Sequence, residues 1–192
     1  MISKRTLGRM ALAATVAASL IACGKKEEVK PAAAAPAASE LTIAYITNGN
    51  TNEGWTLING GAKKAGSVPG VKFIELAAEK GELSKQLAIV EDMITRKVSA
   101  IAIAPVDSAG IAPAINKALA AGIPVIAVDT GITGANITSY VATDNIKAAN
   151  VQGKWAAEQN QDGDTVIYVT GELGHTTGDE RKNENVDALT AA

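Results

Sequence analysis

Apolar residues follow two alternating rhythms along this chain. The first is a short continuous run, seen at Leu41 to Thr47, Val71 to Leu76, Ala100 to Ala104, Val125 to Val128, Ile137 to Ala142 and Thr165 to Thr170. Runs of this length, rich in Val and Ile and bounded by Gly, Pro and Asn, predict strands buried on both faces. The second rhythm is helical. Leu83, Leu87, Val90 and Ile94 fall at i, i+4, i+7 and i+11, which predicts a helix over 82–97 with its charges turned away from the core. Further helices are expected over 55–65, 109–121, 146–159 and from Asp179 onward. Alternating β and α segments of this kind predict an α/β fold, a doubly wound parallel sheet built from right-handed βαβ units. Sheets of that class bind ligands outside the carboxyl ends of their strands. Here those ends run into Asn48, Asp107, Asp129, Asp144 and Glu172.

The first 39 residues follow neither rhythm. Lys4, Arg5 and Arg9 form a positive segment, and Met10 to Ser19 a short apolar one, as in an export signal. Leu20-Ile21-Ala22-Cys23 closes it and resembles the bacterial lipoprotein lipobox, which implies cleavage before Cys23 and a lipid anchor on that residue. Residues 1–22 are therefore expected to be a lipoprotein signal peptide. Residues 23–39, charged at first and then rich in Ala and Pro, are expected to be a flexible linker carrying the folded part away from the membrane. Cys23 is the only cysteine, so no disulfide framework is possible.

Hydrophobic residues make up 47% of the chain, enough for a proper core, whereas aromatics make up only 3%, so each tryptophan needs an account. The net charge is −2, and loss of Lys4, Arg5 and Arg9 would carry it to −5. A mildly acidic body without a basic stripe argues against a nucleic-acid partner. Nucleotide chemistry has little support, since Gly171-Glu172-Leu173-Gly174 is not a dinucleotide fingerprint and no phosphate-cradling loop ends in Gly-Lys. The one histidine, His175, has no second ligand at metal spacing and reads as a solvated loop residue. Neither a metal nor another cofactor is expected. Trp155, on a predicted helix, is expected to pack.

Three stretches carry a resemblance: Ala121-Gly122-Ile123-Pro124-Val125-Ile126-Ala127-Val128-Asp129, then Ala142-Thr143-Asp144-Asn145, then the Gly-rich loop reaching Arg181. From about Leu41 to Ala192 the chain resembles the periplasmic sugar-binding proteins of the ribose- and galactose-binding type. The resemblance implies two α/β lobes joined by a hinge that close on a ligand. It divides the chain into a nearly complete first lobe at 40–143, then the hinge crossover and the start of a second lobe at 144–192. Complete members continue well past that point, so a fragment or truncated product is expected. Lys182-Asn183-Glu184-Asn185 departs from the family, which has a small residue and then a packing aromatic there.

A sugar presents hydroxyls and an apolar C–H face, so its site needs carboxylates, amides, an Arg and an aromatic plane. The resemblance assigns such roles to six residues. Trp55 would stack on the sugar, the other reading being core packing from a helix's first turn. Asn52 would be a polar contact, or only a turn residue. Asp129, followed by Thr130, would accept two sugar hydroxyls, or merely form a turn before Gly131. Asp144 would act from the hinge side, or cap the helix that follows it. Asp107-Ser108 has the same ambiguity and is read as a cap. Arg181 would donate from the second lobe, or be a surface Arg.

The function implied is the substrate-binding component of a sugar ABC importer, exported to the bacterial cell envelope and lipid-anchored. It would bind a small polyhydroxy solute, hand it to a membrane permease, and be monomeric at full length. One alternative is a lipid-anchored receptor presenting its ligand to a sensor kinase or chemoreceptor. Another is an exported α/β enzyme, for which a lone His and no free Cys leave little catalytic material.

Overall fold

The computed structural model describes residues 40–49, 53–78, 81–171 and 174–191. The predicted leader, linker and lipidated Cys23 lie outside them, as does Asn52. Strand β1 (Leu41–Thr47) leads to helix α1 (Glu53–Gly66), β2 (Val71–Ala77) to α2 (Leu83–Thr95), and β3 (Ala100–Ile103) to α3 (Ala112–Ala120). Strands β4 (Val125–Val128) and β5 (Ser139–Val141) complete the sheet, and helices α4 (Asn145–Gln159) and α5 (Thr176–Thr190) follow. All strand pairs are parallel, in the order β2-β1-β3-β4-β5. The expected α/β parallel sheet is therefore present.

Side-chain alternation along the strands decides which helix lies where. Ala44 and Ile46 of β1, Ile101 and Ile103 of β3, and Val125 of β4 are fully buried on one face. They pack in one cluster with Val90 and Met93 of α2 and with Ala114, Ile115 and Ala118 of α3. Tyr45 points the opposite way, stacks on Phe73 of β2, and donates its hydroxyl proton to Asn59 Oδ1 on α1 at 2.9 Å. Helices α2 and α3 thus cover one face and α1 the other. The α1 face is incompletely covered, because Ala102, Ile126 and Val128 remain half-buried.

Gln86, fully buried on α2, ties off the backbone beyond β3. Its Nε2 donates to Ala104 O at 2.9 Å and its Oε1 accepts from Val106 N at 2.9 Å. Those two backbone groups leave the ladder at the end of a strand, and a buried amide is needed to satisfy them.

Three expectations are corrected. The run over 165–170 is not a strand, because it pairs with no strand among the described residues. A ladder needs a neighbour, and Ile167 and Val169 are instead 82% and 96% exposed. Helix α5 begins at Thr176, three residues before the expected Asp179, with His175 at its N-cap. His175 O accepts the Gly178 and Asp179 amides, which closes that extra turn. Trp155 does not pack. It is 60% exposed, on the side of α4 opposite the buried Ala149 and Gly153, the latter of which meets α5.

Candidate functional site

The strand order reverses direction between β1 and β3, and the carboxyl ends on either side of such a point form the crevice of open α/β sheets. The residues there are polar yet buried: Thr47 at the end of β1, Ser108 after β3 and Thr130 after β4. Asp107 behaves as a cap, since its Oδ1 accepts the amides of Ala109 at 2.9 Å and Gly110 at 2.6 Å. Asp144 also caps, with Oδ1 accepting from Lys147 N at 3.0 Å at the start of α4.

Asp129 is in a different situation. Its φ is 63°, in the left-handed region that Asp and Asn tolerate better than other side chains. Four hydrogen bonds hold it there. Its amide donates to Val141 O at 2.9 Å, while its carbonyl accepts from Tyr140 Oη at 3.0 Å and Thr177 Oγ1 at 3.2 Å. Its Oδ2 accepts from Thr130 Oγ1 at 3.1 Å. The carboxylate is felt by two phenols. Burial, then Glu75, with a smaller contribution from Asp129, pushes the Tyr45 hydroxyl above its ordinary value. Burial, then Glu180 and then Asp129, does the same to Tyr140.

The first turn of α5 is seated on this rim. Gly131 N donates to Thr176 Oγ1 at 3.0 Å, Thr176 N to Ser108 Oγ at 3.1 Å, and Ser108 N to Gly174 O at 3.0 Å. A Cβ on Gly131 would come within 3.1 Å of Thr176 Oγ1, so this approach suits glycine. One turn along α5, Arg181 Nε donates to Asn145 Oδ1 of α4 at 2.8 Å. The α4–α5 seam continues with Asn150 Nδ2 to Glu184 Oε1 at 2.7 Å and Asn185 Nδ2 to Gln152 Oε1 at 3.2 Å. Asn185 is buried in that seam.

Among the predicted residues, Asp129 and Thr130 are brought together with the first turn of α5, and Arg181 is linked to the residue after Asp144. Trp55 lies half-buried in the first turn of α1, beyond the end of β1. Sequence reasoning missed Gln86, Tyr140, Thr176, Thr177 and Asn145. Of these only Asn145 carried a signal, as a member of the quoted Ala142-to-Asn145 motif. Among the described residues no three His, Cys, Asp or Glu side chains gather to hold a metal, and no helix is long and apolar enough to cross a membrane. A cavity between α4 and α5, lined by Asn150, Lys154, Glu184 and Asp187, begins one to two turns beyond Asn145 and Arg181 along the two helices.

An open parallel sheet with acidic and hydroxyl groups at its strand ends, overlaid by a later helix, is the arrangement in which α/β proteins hold small ligands. Residues 43–192 match the family model described as periplasmic binding protein domain, and the chain belongs to that family. It is 29% identical to the ribose import binding protein RbsB of Escherichia coli K12, over 82% of this chain and 53% of that protein. It is 31% identical to a D-ribose/D-allose-binding protein of Pseudomonas aeruginosa, over 98% of this chain and 61% of that protein. Among solved structures it resembles an ABC transporter solute binding protein from Bacillus halodurans with bound myo-inositol. The TM-score there is 0.74 at 26% identity, covering 82% of this chain and 55% of the other. The chain thus spans about half the length of the curated relatives that it matches.

Proposed function

We propose that this chain is part of the substrate-binding component of a sugar ABC importer, which holds a small polyhydroxy solute between two lobes and delivers it to a membrane permease. The observation that carries this reading is Asp129. A carboxylate fixed in a left-handed conformation at the end of β4, under the first turn of the helix that carries Arg181, suits paired sugar hydroxyls. Family membership and the ribose-, allose- and inositol-binding relatives support it. In this reading Asn52, Trp55, Asp129, Thr130, Asp144 and Arg181 contact the solute, with Oδ1 of Asp144 already engaged as a cap. Residues 40–143 form the first lobe, and 144–192 form the crossover and the start of the second. The component is non-catalytic and monomeric, and it is held at the cell envelope by lipid on Cys23 after loss of residues 1–22.

The test is a thermal-shift screen of the full-length protein against pentoses, hexoses, inositols and amino acids. A stabilisation confined to polyols and sugars is the expected result; a response only to amino acids, or turnover of a sugar, would overturn the proposal.

A further inference from the structure

Asn145 opens α4 directly after the capping Asp144, and it is 2% exposed. The two halves of its amide are treated differently. Oδ1 accepts the Arg181 Nε–H at 2.8 Å, whereas Nδ2 is buried without a hydrogen-bond partner. A buried amide donor left unsatisfied is a cost that folded proteins avoid unless something is obtained in return. Reversing the amide would not relieve it, because Nδ2 would then face the Arg181 Nε–H, donor against donor. The amide's orientation is therefore set by Arg181.

What is obtained in return is the direction of a guanidinium. Thr177 and Arg181 stand four residues apart on α5 and so share one face. On that face Thr177 Oγ1 reaches Asp129 O at 3.2 Å and Thr130 Oγ1 at 3.3 Å. Arg181 follows one turn later with its Nε already committed to Asn145. Arg181 is exposed, and its paired Nη groups have no hydrogen-bond partner among the described residues, so they are open to an incoming acceptor. An Arg side chain otherwise loses much rotamer freedom on binding, and a clamp made in advance removes that loss from the binding step.

We propose that Asn145 is a positioning residue, which clamps Arg181 so that the Nη pair meets the hydroxyls of the solute beside Asp129. The inference rests on the sugar-cleft reading. It is tested on the full-length protein by two readouts, one of which needs no sugar. By NMR, the Arg181 Nε–H exchanges slowly in the wild type, rapidly in Asn145→Ala, and slowly again in Asn145→Asp, whose carboxylate accepts the same bond.

By calorimetry with D-ribose and D-allose as probes, Asn145→Ala weakens binding by roughly ten- to a hundredfold, the range for one hydrogen bond to a charged group. Asn145→Asp recovers most of that loss. In Arg181→Lys, which has no Nε, adding Asn145→Ala costs nothing further, because the two positions act as one. Equal Nε–H exchange in wild type and Asn145→Ala, or additive losses in the double variant, would overturn the inference. Should the thermal-shift screen yield no sugar or polyol ligand at all, the functional reading falls, while the exchange measurement still decides the clamp.

Discussion

Two helix-interior glycines meet opposite surroundings, and the contrast yields a signed prediction. A Cβ placed on Gly153 of α4 would lie 2.7 Å from Ala188 Cβ and 2.7 Å from Asn185 O, both on α5. Ordinary heavy-atom contacts are about 3.5–4.0 Å, so Gly153→Ala obliges the two helices to separate by roughly 1 Å. The backbone carbonyl of Asn185 cannot swing aside as a side chain could. Replacing Gly by Ala inside a helix is itself worth about 0.5–1 kcal/mol. Overpacking costs about 1–3 kcal/mol, so the clash outweighs the propensity gain and leaves a loss of about 1–2 kcal/mol. For a domain of this size that is a fall in Tm of roughly 2–8 °C. A Cβ on Gly61 of α1 meets nothing within 4 Å, so Gly61→Ala keeps the propensity gain and should raise Tm by about 1–4 °C. Thermal unfolding followed by circular dichroism measures both variants side by side. Stabilisation by Gly153→Ala to the same degree as Gly61→Ala would refute the close α4–α5 approach, and with it the seam that holds Arg181 against Asn145.

Four further outcomes are expected. Asp129→Asn keeps a residue that tolerates φ 63°, so Tm should barely move while sugar affinity of the full-length protein falls by roughly ten- to a hundredfold; unchanged calorimetric affinity would remove Asp129 from the site. Asp129→Ala should lose binding and also about 1 kcal/mol of stability, since Ala is disfavoured in that backbone conformation. Tyr45 and Tyr140 have hydroxyl pKa values raised above 10.0, mainly by burial, so the folded state keeps protons that the unfolded state gives up. Their contribution is complete below pH 10 and is lost as the pH rises through the raised folded values, and Tyr45→Phe should lessen that alkaline fall in denaturant titrations. In this 192-residue chain with Trp55→Phe, emission from Trp155 should be red-shifted and open to acrylamide, given its 60% exposure; shielded emission would mean that the outer side of α4 is covered.

The sheet was legible because each βα unit declares itself locally. Val125 to Val128 is bounded by Gly-Ile-Pro and Thr-Gly, and the 3.6-residue rhythm of α2 places Leu83, Leu87, Val90 and Ile94 toward the sheet. The rim was legible in part for the same reason, since a carboxylate following a buried strand stands where crevices form. Its hydroxyl partners were not. Thr176 and Thr177 reach Gly131, Asp129 and Thr130 from 45 to 48 residues away, and nothing local marks a Thr that will bond so far along the chain. Asp144 shows the limit from the other side, because a helix cap and a ligand carboxylate demand the same residue before the same helix.

The run over 165–170 marks where local pattern gives out. Val166, Ile167 and Val169 have strand composition, but β structure is a property of pairs, and no neighbouring strand reaches this segment among the described residues. The open surface recurs on the outer side of α4, where Val151 and Trp155 stand four residues apart and both exposed, and on the α1 face of the sheet at Ile126 and Val128. Parallel sheets bury both faces, so the half-buried Ile126 and Val128 mark a face that the described residues cover only in part. Around Asp129 the situation differs. Its backbone is bonded to Val141 and Tyr140 of β5 and to Thr177 of α5, and so the acidic half of the rim is held in shape by bonds among the described residues.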